Sequence, residues 1–203
     1  ATYIVELSKT PELSIWKSAP LGVIENGSTA DIDSMVEAGE SHLVYEVLIQ
    51  NTGNQTLSTL TFTDTKLLGS FDPTPEGDYA TPYYTAGDKV AFQVGSINGG
   101  TFEQANGVTV EGVIDENGVV TLPANFKLAP SEALKLVYDY VITQSDLDIA
   151  DTDNDGKADL VNLATVDSGE TTPETNDTNA ANDGKATYIV ELSKTPELSI
   201  WKS

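Results

Sequence analysis

The chain contains no cysteine and no arginine, and it has one histidine (His42) and one methionine. Each shortage removes a class of chemistry. Without cysteine there is no disulfide framework and no thiolate-ligated zinc. A single imidazole excludes a His-rich metal site and leaves nucleophilic catalysis at most one histidine base. Ten lysines are the whole basic complement, set against 32 Asp and Glu, for a net charge of −22. Such a chain cannot build the cationic face that binds phosphate backbones, so no nucleic-acid partner is expected. No apolar run approaches the roughly 20 residues of a membrane span, so no membrane insertion is expected. No signal peptide opens the sequence, which reads as an excised segment or a mature fragment.

What is present suits an all-β protein. The 203 residues fit one large all-β domain or two small ones, and 39% hydrophobic content supports a core. The lack of cysteine fits a cytosolic protein and equally a bacterial surface protein. Self-repulsion in so acidic a chain is relieved by cations, which directs attention to cation sites.

The most informative feature is a repeat. Residues 1–18 read ATYIVELSKTPELSIWKS, and residues 186–203 repeat them at all 18 positions. Self-similarity at a fixed offset signals an array. An offset of 185 residues is domain-sized, so each unit is expected to fold by itself and to have identical repeats as neighbours. The alternative is a duplicated tag, against which the segment's own β-like alternation speaks. The expected organisation is a connector and first strand at 1–18, a β-sandwich domain at 19–170, a linker at 171–185, and the start of the next repeat at 186–203.

Apolar stretches are short, rich in β-branched and aromatic residues, and bounded by turn residues. Strands are predicted at 2–8, 13–18, 43–51, 57–63, 89–95, 108–114, 118–122, 134–143, 160–166 and 187–192. In 134–143, Leu134, Leu136, Tyr138, Tyr140 and Ile142 share one face; in 44–50, Tyr45, Val47 and Ile49 do. NTGN (51–54) and DENG (115–118) read as turns between strands. Loops are predicted at 19–41, 69–88 and 167–185. No segment holds a 3.6-residue period, and about ten short strands suggest a β-sandwich.

Four phrases then carry a resemblance: LSIWKS (13–18), AGESHLVYEVLIQNTGNQTLSTLTFTD (38–64), LAPSEALKLVYDYVIT (128–143) and NLATVDSGE (162–170). In this order they resemble the tandem repeat domains of large bacterial surface adhesins, which carry an Asn-Thr-Gly hairpin. The resemblance implies an immunoglobulin-like β-sandwich and a spacer role at a bacterial surface. Residues 67–127 match nothing in that pattern and are expected to be an inserted set of strands.

Residues 151–162 read DTDNDGKADLVN. Asp151, Asp153 and Asp155 fall at positions 1, 3 and 5 of a calcium loop, with Gly156 at the turn. Lys157 would offer its carbonyl at position 7, and Asp159 stands at position 9. Asn162 occupies position 12, where an EF-hand has a bidentate Glu. An EF-hand-like Ca²⁺ loop between strands is therefore predicted, completed by a carboxylate such as Asp146 or Asp148; the alternative is an exposed acidic turn. Weaker metal candidates are the cluster Asp31, Asp33, Glu37 and Glu40, and the loop Asp72, Glu76 and Asp78. A further candidate is an inter-repeat site of Asp64 and Asp183 with Glu6 or Glu191.

Tyr79, Tyr83 and Tyr84 lie in a Pro-rich loop beside Asp78 and Asp88, a composition that suits sugar stacking or, more simply, a pinned loop. Trp16 and its copy Trp201 are expected in the core. No spacing marks a catalytic carboxylate pair, and no enzyme or small-molecule substrate is expected. The expected role is a secreted extender on the bacterial cell surface, folded and rigidified by calcium and projecting a distal binding region. The rival is an adhesin module that binds carbohydrate or a surface protein through 67–127.

Overall fold

The computed structural model describes residues 8–19, 28–32, 42–70, 83–149, 151–152, 154–171 and 185–193. Among them are ten strands and one helical turn: β1 (Leu13–Ser18), β2 (Ser28–Ile32), β3 (His42–Asn51), β4 (Thr61–Asp64), β5 (Lys89–Asn98), β6 (Thr101–Ile114), β7 (Val119–Thr121), β8 (Glu132–Val141), α1 (Gln144–Leu147), β9 (Lys157–Asp167) and β10 (Lys185–Ser193).

Alternation sets the inward faces, because successive side chains of a strand point to opposite sides. In β3, Tyr45, Val47 and Ile49 are buried while Val44 is exposed. In β8, Leu134, Leu136 and Tyr138 are buried. Tyr140, predicted to share their face, is half-buried.

The strands form one hydrogen-bonded sheet in the order β1-β3-β8-β5-β6-β7-β4-β9-β10-β2. Neighbours are antiparallel, except that β10 and β2 run parallel. The sheet folds over itself into two layers. Phe62 of β4 meets Phe92 of β5 edge-on at 5.7 Å between ring centroids. Tyr45 of β3 meets Tyr188 of β10 in the same way at 6.2 Å. One layer is β1-β3-β8-β5 and the other β4-β9-β10-β2, with β6 and β7 joining them along one side.

This is the immunoglobulin-like arrangement, in which strands A-B-E-D face strands C-F-G. In chain order β1, β3, β4, β5, β8, β9 and β10 take the places A to G. The strands β2, β6 and β7 are additions, and β5 to β7 all fall within 67–127, the span expected to hold inserted strands. The β5–β6 hairpin turns at Gly99 and Gly100, whose φ of 58° and 85° suit glycine. Much of β6 is exposed.

Differences from the predicted strands have local causes. Of 57–63 only the second half enters the ladder. Thr59 at φ 54° breaks it, and Leu57 makes a single bridge to Leu128. The strand β2 (STADI) sits within a predicted loop, because it carries no long apolar alternation. The first half of β6 (TFEQANG) is polar and gave no period-2 signal; pairing with β5 holds it.

The structure adds most at the second copy of the repeated segment. The sequence marked 186–203 as the start of a following repeat and 171–185 as a linker, and left open on which sandwich 186–203 packs. In the structure Lys185–Ser193 pairs with β9 over nine positions, and Ala186, Tyr188, Val190 and Leu192 are buried in this sandwich's core. The stretch from Asp167 to Lys185 therefore connects two neighbouring strands of one sandwich. Of the predicted strand 2–8, all but Ser8 lies outside the described residues.

Candidate metal centre

The acidic loop lies between α1 and β9. Asp151 is its hub. Its Oδ1 accepts the backbone N–H of Asp155 at 3.1 Å, and its Oδ2 accepts that of Gly156 at 2.7 Å. Asp155 Oδ1 accepts the N–H of Lys157 at 2.8 Å. Asn154 and Gly156 turn the backbone at φ 67° and 91°. The side chain of Asp155 is exposed.

Asp159 has a different role. It is buried, and its Oδ2 accepts the N–H of Thr152 at 2.8 Å and also the Thr152 hydroxyl. It thus ties the loop back onto β9. Lys157 sends its ammonium toward Glu191 of β10, 3.7 Å away. Asp153 lies outside the described residues. Among the described residues no three His, Asp or Glu side chains gather into a metal-holding group.

The remaining candidates fall elsewhere. Asn162, assigned to position 12, is fully buried: its Nδ2 donates to Tyr138 Oη at 2.7 Å and its Oδ1 accepts from Thr65 Oγ1 at 3.0 Å. Asn162 faces the core and not the loop, because it shares an inward strand face with Leu160 and Ala164. Asp146, expected to complete the loop, caps α1 instead. It accepts from Thr143 N and Oγ1 at 2.8 and 2.7 Å, Tyr140 Oη at 2.7 Å and Lys66 Nζ at 2.8 Å. Burial pushes this carboxyl up, yet the bonds from Lys66, Tyr140 and Thr143 together hold it below its ordinary value. Asp148 caps the other end of α1 and accepts from Gln144 Nε2 at 3.1 Å.

Asp31 pairs through its backbone in β2 opposite Glu191. Asp33, Asp183, Tyr79, Glu6, Trp201, Glu37, Glu40, Asp72, Glu76 and Asp78 lie outside the described residues. Tyr84 is buried, and its backbone N–H donates to the Ser70 carbonyl at 2.7 Å. Tyr83 is 53% exposed, on an open groove of about 1010 Å³ that Tyr140 and Glu116 also line.

Sequence reasoning missed the polar centre of the molecule. Lys17 and Asp64, 1% and 4% exposed, form an ion pair between the two layers. Tyr138 Oη donates to Asp64 Oδ1 at 2.8 Å and accepts from Lys17 Nζ at 2.9 Å. The ammonium also lies 4.9 Å from the Tyr45 ring centroid. Burial lowers the Lys17 ammonium to about 8, although Asp64 pulls the other way. Burial and the Asp64 charge push the Tyr138 hydroxyl well up. Asp64 is therefore a core residue, not half of an inter-repeat metal site. Trp16, expected in the core, is only half-buried, because the inward face of β1 is Leu13, Ile15 and Lys17. That alternation was the available signal: a lysine in register with two inward apolar residues needs a buried counter-charge.

No protein-family model and no curated protein matches the chain. It is similar in structure to the CARDB domain of PF1109 from Pyrococcus furiosus in complex with di-metal ions, at TM-score 0.38 and 14% identity, covering 93% of this chain and 98% of that one. The solution structure of the same domain gives 0.39 and 14%, covering 92% and 98%. A PapD-like domain of human CEP192 gives 0.27 and 8%, covering 97% and 96%.

Proposed function

We propose that the chain is a structural extender repeat of a large secreted bacterial adhesin, stabilised by Ca²⁺ at the Asp151–Asp159 loop. The observation that carries this is the placing of the repeated segment. One copy supplies the first strand of a closed sandwich and the other supplies its last. A segment that ends one domain and begins the next is what a tandem array of identical domains requires. A tandem array of such domains suits a spacer, whose output is length, better than an enzyme.

Calcium fits the loop's chemistry, since Ca²⁺ takes hard oxygens from carboxylates and carbonyls around a tight turn. Asp151 and Asp155 would hold it, with Asp153 between them in sequence. Calcium that binds only the folded state stabilises by mass action, by about 2.7 kcal/mol at a hundredfold excess over Kd. Outside a cell, millimolar calcium would serve even a weak site. The relief of self-repulsion in a chain of net charge −22 adds to the effect.

Thermal unfolding in millimolar calcium and in EDTA tests the calcium role. A higher midpoint with calcium is expected, lost in Asp151→Asn/Asp155→Asn; equal midpoints would refute it. The tandem role is tested on the parent gene. The codons after Ser203 are expected to continue as residues 19 onward, and any unrelated continuation refutes the array. Specific binding on a glycan array that is lost in Tyr83→Ala would instead favour the ligand-binding module.

A further inference from the structure

In the tandem reading, residues 186–203 of one repeat are residues 1–18 of the next, so Ser193 and Ser8 are one position. Ser193 ends β10, and the residues from Ser8 onward lead into β1. In that reading the joint between repeats is the short path from Ser8 to Leu13.

That path is gripped from its first residue. The turn Asn51–Asn54 lies along Ser8–Glu12. Thr52 and Gly53 donate their backbone N–H groups to the Glu12 carbonyl at 3.1 and 3.3 Å, and Asn54 donates to the Thr10 carbonyl at 3.0 Å. The Asn54 side chain accepts from Thr10 N–H at 2.8 Å and donates to the Ser8 carbonyl at 2.9 Å. Asn51 holds the turn from behind, accepting from Gly53 N–H at 3.1 Å and donating to the carbonyls of Gln55 and Leu128 at 2.8 and 2.9 Å. A Cβ on Gly53 would collide with the Thr10 carbonyl and lie 2.6 Å from Glu12 N, so only glycine permits this approach.

We propose that the Asn51–Asn54 turn is the docking clamp for the strand arriving from the preceding repeat, and that the joint between repeats is stiff without calcium. The proposal rests on the tandem reading above. Its physical basis is that stiffness follows from the absence of unconstrained residues. The carbonyl of Ser8, the residue that would end the preceding repeat's last strand, is already bonded to Asn54 of the following sandwich. The polar stretch that composition alone marks as a linker lies between β9 and β10, inside one repeat, and so is not the connection between repeats.

The test uses a two-repeat chain, made by placing residues 1–185 ahead of the full chain. The native sequence has no cysteine, so Glu116→Cys in each repeat provides two spin labels. Pulsed electron-spin distances in EDTA are expected to be narrow and unchanged by calcium. Asn54→Ala in the second repeat is expected to broaden them several-fold, and Asn54→Asp, which keeps only the acceptor to Thr10, to broaden them less. Unfolding of the single chain carrying each variant checks that the sandwich itself folds. A broad distribution in the unsubstituted chain, one narrow only in calcium, or one indifferent to Asn54 would overturn the clamp. None of these bears on the gene-level test of the tandem array, so the two can fail separately.

Discussion

Lys17 of β1 and Asp64 of β4 form a buried ion pair between the two layers, 47 residues apart in sequence. Tyr138 and Asn162 complete the cluster from β8 and β9. Four strands thus meet at one polar centre. Such a pair is weak evidence of stability, since desolvating two charges offsets most of their attraction, but breaking it leaves one charge stranded.

Lys17→Met is expected to cost about 3–5 kcal/mol, because Asp64 keeps only the hydroxyl of Tyr138 and its local turn bond. Lys17→Met/Asp64→Leu is expected to cost much less than the sum of the single changes. Chemical denaturation of the three variants measures both; additive losses would mean the two side chains act independently.

Asp146 gives a pH signature. Its folded-state pKa lies below its ordinary value of 3.8. A lowered carboxyl contributes stability in full above its unfolded value and loses it as pH falls through the folded one. The midpoint difference between the native chain and Asp146→Asn should therefore be largest near neutrality and shrink below about pH 3.8. A difference constant down to pH 2 would count against the Lys66–Asp146–Tyr140 network as its source.

Asp155 and Asp159 should separate by condition. Asp155 is exposed, whereas Asp159 is buried and bonded to Thr152. Asp155→Asn is expected to leave the midpoint in EDTA nearly unchanged and to reduce the gain from calcium. Asp159→Asn is expected to lower it in both media, by about 1–3 kcal/mol for a weakened buried charged acceptor. Equal effects in the two media for both variants would remove the distinction between ligand and anchor.

The folding unit should close at β10. A chain of residues 9–193 is expected to fold, and one of residues 9–185 is not. The shorter chain forfeits the burial of Val190 and Leu192, each worth about 1.5–3 kcal/mol, together with that of the Tyr188 ring. That approaches the whole stability of a typical domain, about 5–15 kcal/mol. Amide exchange or limited proteolysis decides the matter. A protected core in residues 9–185 would show that β10 is an accessory strand.

Much of the fold was legible because inward and outward faces are a local, period-two property. LSIWKS, HLVYEVLIQN and EALKLVYDYV announce their strands, and DENG between VTVEGVI and VVTL announces its hairpin. The site was less legible. Asp151 and Asp155 do share one loop as their spacing implied. Asp146 and Asn162, a few residues away on either side, turn to Lys66 and Tyr138, because a capping position and an inward strand face had already claimed them.

By itself, the sequence determined an acidic, cysteine-free, all-β chain with strands at set positions and a segment present twice. Only the tertiary structure decided to which sandwich each copy belongs, and which charges meet in the core. The reason is physical. Side-chain alternation is written along the strand, whereas the pairing of β10 with β9 and of Lys17 with Asp64 depends on the energy of closing long loops around one shared interior. No short stretch of sequence records that energy.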